Sequence, residues 1–153
     1  MIEIPKRAAV VSLGPAVLAS AAVMTPYLAA SGYTLFAAAI FWFFSPVCHQ
    51  DPARSFWLFG APVAVCARCL GIYLGAAAGA WIPAPRRMVL SGLALFAALN
   101  LADVLMEAAA WHGNWKLTRF VLGAALGLAA GSLVANSVRR DVVPALAVNQ
   151  PIR

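Results

Sequence analysis

The sequence has few charged residues and few of the side chains that usually build soluble enzyme sites. Of its 153 residues, 10% are charged and 63% are hydrophobic, with only 5 acidic residues and 2 histidines. A soluble domain of this length needs a larger charged surface. This shortage argues against an ordinary soluble domain and predicts that the lipid bilayer is the main partner of the chain.

Cysteine is also scarce, and the count is odd. The three cysteines are Cys48, Cys66 and Cys69. An odd number argues against a closed disulfide framework. Three interpretations remain open: a metal site, a redox pair with one further thiol, or inert buried thiols.

The excess of basic residues, 11 Lys and Arg against 5 acidic residues, does not indicate nucleic-acid binding. Basic and aromatic residues do not combine in the pattern of a nucleic-acid groove. The basic residues instead form short clusters between apolar runs, which is typical of anchors at the membrane surface. These clusters are Lys6-Arg7, Arg86-Arg87, Lys116 with Arg119, and Arg139-Arg140.

The apolar runs predict an all-α fold, a polytopic transmembrane bundle of about five helices. A spanning helix needs roughly 20 mostly apolar residues. We expect one transmembrane domain over residues 1–140 and a flexible tail over 141–153. The predicted segments are approximately Ala8 to Ala30, Tyr33 to Val47, Pro62 to Ile82, Met88 to Ala110, and Arg119 to Ser137.

The first segment also resembles a signal peptide, because Ala19-Ser20-Ala21 looks like a cleavage site after a basic start. The apolar run continues past that site, so we expect a retained helix. With five spans the basic residues divide evenly between the two sides, and the sequence predicts no orientation. One side would carry Lys6, Arg7, Arg54, Lys116 and Arg119, and the other Arg86, Arg87, Arg139, Arg140 and Arg153.

Two segments carry glycines at four-residue spacing, which places these small residues on one face of each helix. Such faces let membrane helices approach closely. We expect segments three and five to pack together through them, and the same faces could join copies of the chain in a homo-oligomer. The glycines are Gly71, Gly75 and Gly79 in segment three, and Gly123, Gly127 and Gly131 in segment five.

Four charged residues within or beside the apolar segments predict a charge network. Asp103 and Glu107 share a helix face, and Arg68 lies at a similar expected depth. A lone charge in the membrane is costly and is usually paired or functional. We expect Asp103 to pair with Arg68 before Arg119.

Cys66-Ala67-Arg68-Cys69 is a C-x-x-C sequence, so both thiols can share one metal or form one disulfide. Cys48 offers a third sulfur, and His49 an imidazole. Three sulfurs and one nitrogen form a known structural zinc set. His112 or a carboxylate is the alternative fourth ligand.

The strings Cys48-His49-Gln50, Arg54-Ser55-Phe56 and Cys66-Ala67-Arg68-Cys69-Leu70-Gly71-Ile72-Tyr73 resemble the domain-of-unknown-function family numbered 2085. The similarity covers roughly residues 45–132, although Leu70 stands where that pattern often has Thr. The resemblance implies a small prokaryotic membrane protein, expected in the cytoplasmic membrane, and no established activity.

The sequence thus favours a membrane protein that binds metal through Cys48, His49, Cys66 and Cys69. Zinc is the default ion, with copper(I) and an iron–sulfur centre open. One alternative is a thiol–disulfide oxidoreductase that uses Cys66 and Cys69, with Cys48 as the exchanging thiol. Another is a small ion or proton transporter that uses Asp103 and Glu107.

Overall fold

The described part of the chain forms a bundle of five α-helices in a computed structural model. The structure describes the backbone of residues 3–111, 113 and 115–147. It describes the side chains of residues 8–111, 113 and 115–138. The predicted helical membrane bundle is confirmed. In chain order the elements are α1 (Glu3–Ala30), α2 (Thr34–Phe44), a 3-10 helix (Pro52–Arg54), strands β1 (Trp57–Leu58) and β2 (Ala61–Pro62), α3 (Ala67–Gly79), α4 (Arg86–Ala108) and α5 (Lys116–Ala147).

Three of these helices contain stretches long and apolar enough to cross a membrane unaided: Ala8–Ala30, Arg86–Ala108 and Lys116–Val138. The second and third predicted segments are too long. α2 has 11 residues, which is about 16 Å at 1.5 Å per residue, roughly half the hydrocarbon core. α3 begins at Ala67 because Pro62 pairs with Trp57 in a hairpin instead of opening a helix.

The first two helices form an antiparallel pair. Gly32, with φ of +86°, makes the turn between them, a conformation that glycine adopts without steric cost. A groove between the two helices is lined by Ala21 and Leu28 of α1 and by Phe36, Ala39, Ile40, Phe43 and Phe44 of α2. α2 therefore runs back along the second half of α1 and ends near its middle.

Helices α3 and α5 pack backbone to backbone through their glycines. A Cβ on Gly75 would lie 2.1 Å from the Ala124 carbonyl oxygen, and one on Gly127 would lie 2.2 Å from that of Ile72. Contacts progress in the same chain direction in both helices, so they run parallel. Because these faces are buried against each other within one chain, a homo-oligomer would need another surface.

Polar side chains join α5 to its neighbours along its length. Asn100 Nδ2 in α4 donates to the Leu122 carbonyl at 3.0 Å, and Ser132 Oγ donates to that of Gly79 at 2.8 Å. Asn136 Nδ2 donates to the Ala84 carbonyl at 2.9 Å. These bonds fix the positions of α3 and α4 along the axis of α5. They therefore also fix the level at which the side chains of the site lie.

The fifth helix extends beyond the end predicted near Ser137, as far as Ala147. It therefore includes the first seven residues of the segment that the sequence suggested as a tail. Residues 148–153 lie outside the described part of the chain. The division into one domain and a flexible tail stays a prediction.

Candidate metal centre

The three cysteine sulfurs meet where the connection after α2 reaches the start of α3. All three lie within 4.8 Å of one another. Cys48 is positioned by its N–H, which donates to the Phe44 carbonyl at 3.0 Å as α2 ends. All three cysteines are free thiols, and Cys48 is buried while Cys66 and Cys69 are partly exposed.

The local geometry of Cys66 explains why the C-x-x-C pair converges. Cys66 is the N-cap of α3, with φ of −66° and ψ of 160°, and Cys69 lies in the first turn. An N-cap side chain naturally points toward the third helical residue. The helix dipole also favours negative charge at this end, and a thiolate is such a charge.

Cys48 sits where several donors converge on its sulfur. Its Sγ accepts a hydrogen bond from the backbone N–H of Cys66 at 3.2 Å. Hydrogen bonds from the Cys66 and Cys69 thiols, aided by this N–H, lower the pKa of the Cys48 thiol. Such bonds stabilise the thiolate, which is the form that binds metals.

Gln50 holds the cysteine loop in place, a role that the motif search missed. Its Nε2 donates to the carbonyls of Phe41 at 2.7 Å and Ala64 at 2.8 Å. Its backbone has φ of +52°, in the left-handed region that non-glycine residues seldom adopt. The available signal was its place in the Cys-His-Gln string.

A charge network lies beside the thiols. Asp103 pairs with Arg68 and also lies 3.5 Å from Arg119 Nε. The Glu107 carboxylate pairs with Arg119 and lies 3.4 Å from Arg54 Nη2. Arg119 and Asp103 are almost fully buried, so each charge needs its partner.

Arg54 extends this network to the loop, although the sequence analysis left it out of the network. Its Nε lies 3.2 Å from Asp51, whose carboxylate also accepts from the Ala53 N–H at 2.9 Å. Ser55 Oγ donates to the Asp51 carbonyl at 2.9 Å. The network thus contains as many arginines as carboxylates, so it leaves no large net charge beside the thiols.

A cavity of about 240 Å³ joins the thiols to the charge network. It has room for a metal ion with a small additional ligand. Its lining combines sulfur, imidazole, guanidinium and carboxylate groups: Cys48, His49, Asp51, Arg54, Cys66, Arg68, Cys69 and Arg119, with Val47 and Val104.

The sequence offers two histidines as candidates for a fourth metal ligand. His49 is exposed and lines the cavity. Among the described residues, the cluster of ligand atoms within 4.8 Å contains the cysteines without His49. His112, the other candidate, lies outside the described residues.

Comparisons with known proteins identify the family of the segment that contains the three cysteines. The family model described as "Predicted membrane protein (DUF2085)" matches residues 48–133. An uncharacterised protein of Methanocaldococcus jannaschii is 43% identical over 61 residues, which cover 37% of this chain and 39% of that protein. The chain thus spans about two fifths of that relative's length. No solved structure matches significantly.

Proposed function

From the premise that the chain belongs to the DUF2085 family of predicted membrane proteins, we propose that it binds a metal ion through Cys48, Cys66 and Cys69. The observation that supports the proposal is the convergence of the three sulfurs within 4.8 Å of one another. The family match contains all three cysteines and the whole charge network.

The donor set suits a soft or borderline metal ion. Zn–S bonds of about 2.3 Å in a tetrahedron place the sulfurs about 3.8 Å apart. Small side-chain rotations would bring sulfurs separated by at most 4.8 Å to that spacing. The fourth position would then face the cavity, where His49 or a small exchangeable ligand could occupy it.

Zinc is the ion that we propose first, because mixed sulfur and nitrogen ligands suit it. Copper(I) is the next candidate, since soft thiolates select it. Common iron–sulfur clusters are held by four cysteine thiolates, and this chain has three cysteines. We therefore rank an iron–sulfur centre last.

The oxidoreductase alternative shares the same thiols. The partly exposed Cys66 and Cys69 could form a disulfide, with the buried Cys48 as the exchanging thiol. For the transporter alternative, the ion pairs of Asp103 and Glu107 with arginines favour a structural role for those carboxylates. We place the protein in the cytoplasmic membrane of a prokaryote, in line with the archaeal relative.

Elemental analysis of the purified protein tests the proposal. We expect about one equivalent of zinc or copper, lost in the double substitution Cys66→Ser with Cys69→Ser. Ser91→Ala, an exposed change in α4, is the control and should retain the metal. Full metal content in the double variant would refute the proposal, and a metal-free wild type with a Cys66–Cys69 disulfide would support the oxidoreductase.

A further inference from the structure

The depth of α2 bears on which side of the membrane the cysteine site opens. α2 starts at the end of α1 and ends near the level of Ala22. Gln50 Nε2 donates to the carbonyls of both Phe41 in α2 and Ala64, and the Ala64 N–H donates to the Ala22 carbonyl. That level lies about 12 Å below Ala30 by helical rise. The chain then turns back, because the Phe59 ring lies 5.8 Å from the Tyr27 ring near the end of α1. The α2 segment therefore enters and leaves on the same side without crossing.

The next segment continues toward the opposite side. The Ala64 N–H donates to the Ala22 carbonyl at 3.3 Å, so α3 starts beside the middle of α1. Ala8, near the other end of α1, is 4% exposed. α2 does not reach it, and the main remaining partners of α1 are the parallel helices α3 and α5. These two helices therefore run antiparallel to α1 toward the end that carries Ala8.

Trp81 and Trp115 mark two levels whose separation matches the thickness of a bilayer. Trp81 follows α3, between the heights of Ser132 and Asn136 in α5. Trp115 precedes α5, about 27 Å away along that helix. Both side chains are more than half exposed, as expected at membrane interfaces. The short helix α3 and its flanking residues thus cover the same thickness as the membrane part of α5.

Four crossings, by α1, α3, α4 and α5, change the distribution of basic residues. Lys6 and Arg7 now share a side with the α3–α4 connection and the far part of α5. That side carries Lys6, Arg7, Arg86, Arg87, Arg139 and Arg140. The opposite side carries Arg54, Arg68, Lys116 and Arg119. Of these, Arg54, Arg68 and Arg119 are paired with carboxylates at the site.

From this asymmetry we infer that the cysteine site opens on the extracytoplasmic side of the membrane. Lysine and arginine near spanning segments favour the cytoplasmic side, largely independently of acidic residues. The cavity beside the thiols lies on the side with four basic residues, against six on the other side. If the proposed function holds, the site exchanges its ion with the exterior. The orientation itself does not depend on metal binding.

Single cysteines test this topology in a chain whose native cysteines are replaced by serine. The exposed positions Ser31, Pro83 and Gly113 are changed singly to cysteine. A membrane-impermeant maleimide is added to intact cells that express each variant. We expect Ser31→Cys and Gly113→Cys to react, and Pro83→Cys to react only after permeabilisation.

Each other pattern overturns the inference. The reverse pattern would show the opposite orientation in the membrane. Labelling of Ser31→Cys together with Pro83→Cys in intact cells would show that α2 crosses the membrane and that the chain crosses five times. Partial labelling at all three positions indicates a mixed orientation. A fluorescent protein that folds only in the cytoplasm, fused after Arg153 of the wild type, provides a second readout. It should fluoresce, and a dark fusion of full abundance contradicts the orientation. Elemental analysis separately tests metal binding.

Discussion

The Sγ atom of Cys48 accepts a hydrogen bond from the backbone N–H of Cys66 at 3.2 Å. This bond ties the connection after α2 to the N-cap of α3. It gives Cys48 two separable properties: an acceptor for a backbone donor and a third sulfur for the proposed metal.

Substitutions of Cys48 should separate these two properties. Cys48→Ser keeps an oxygen acceptor near the N–H but removes the soft ligand. We expect metal affinity to fall by more than about 100-fold, beyond the 10–100-fold cost of losing a supporting hydrogen bond. Melting of the metal-free protein in detergent should change little. Metal titration monitors affinity, and unchanged binding would remove Cys48 from the ligand set.

Cys48→Ala is the companion change, because it removes both properties. An unsatisfied buried N–H costs about 1–3 kcal/mol. We therefore expect the alanine variant to melt below the serine variant when both are metal-free. Equal melting temperatures would show that the hydrogen bond contributes little to stability.

Gln50→Ala should loosen the site without removing a ligand. The change leaves the carbonyls of Phe41 and Ala64 without their side-chain donor. An unsatisfied buried acceptor lowers the free energy of unfolding by about 1–3 kcal/mol. We expect a lower melting temperature and a 10–100-fold loss of metal affinity, the range typical of groups that orient ligands. Exposed Ser45→Ala is the control for stability. Reduced stability with full metal affinity would limit Gln50 to a structural role.

Asp103→Ala should destabilise the helix bundle. It removes the carboxylate shared by Arg68 and Arg119, and breaking a buried ion pair costs about 3–5 kcal/mol. Thermal unfolding in detergent measures the loss, and adding Arg68→Met should recover part of it. Asp51→Asn is the control, because that side chain is 40% exposed and such pairs contribute about 0–1 kcal/mol. If Asp103→Ala and Asp51→Asn lowered the melting temperature equally, burial of the Asp103 ion pairs would not explain the loss of stability.

Helical spacing accounts for the features that sequence analysis could anticipate. Four-residue glycine spacing places one face of α3 against α5, and the expected depth of Arg68 matches that of Asp103. Both depend on local geometry alone. The family resemblance, confirmed by the match over residues 48–133, was likewise visible in the Cys-His-Gln and Cys-Ala-Arg-Cys strings.

Tertiary contacts determine what the sequence could not show. Apolar composition made α2 look like a crossing helix, whereas its depth depends on the buried cluster that contains Phe44 of α2 and Ala22 of α1. Five crossings place Lys6 and Arg7 on the side of Arg54, whereas the four crossings that we infer place them on the side of Arg86 and Arg87. The hairpin that delays α3 turns at Phe59 and Gly60, both at positive φ, and only Gly60 is a recognisable turn residue.

Gly75→Ala should destabilise the protein far more than Gly92→Ala, although both changes add one methyl group to a helix. Its Cβ would lie 2.1 Å from the Ala124 carbonyl oxygen, whereas a Cβ on Gly92 in α4 meets nothing within 4 Å. We expect Gly75→Ala to lower the free energy of unfolding by about 3 kcal/mol, the upper end of the usual cost of overpacking, because the backbone cannot move aside as a side chain can. Gly92→Ala should be neutral or stabilising by up to about 1 kcal/mol. Equal melting temperatures for the two variants would rule out close packing of α3 on α5.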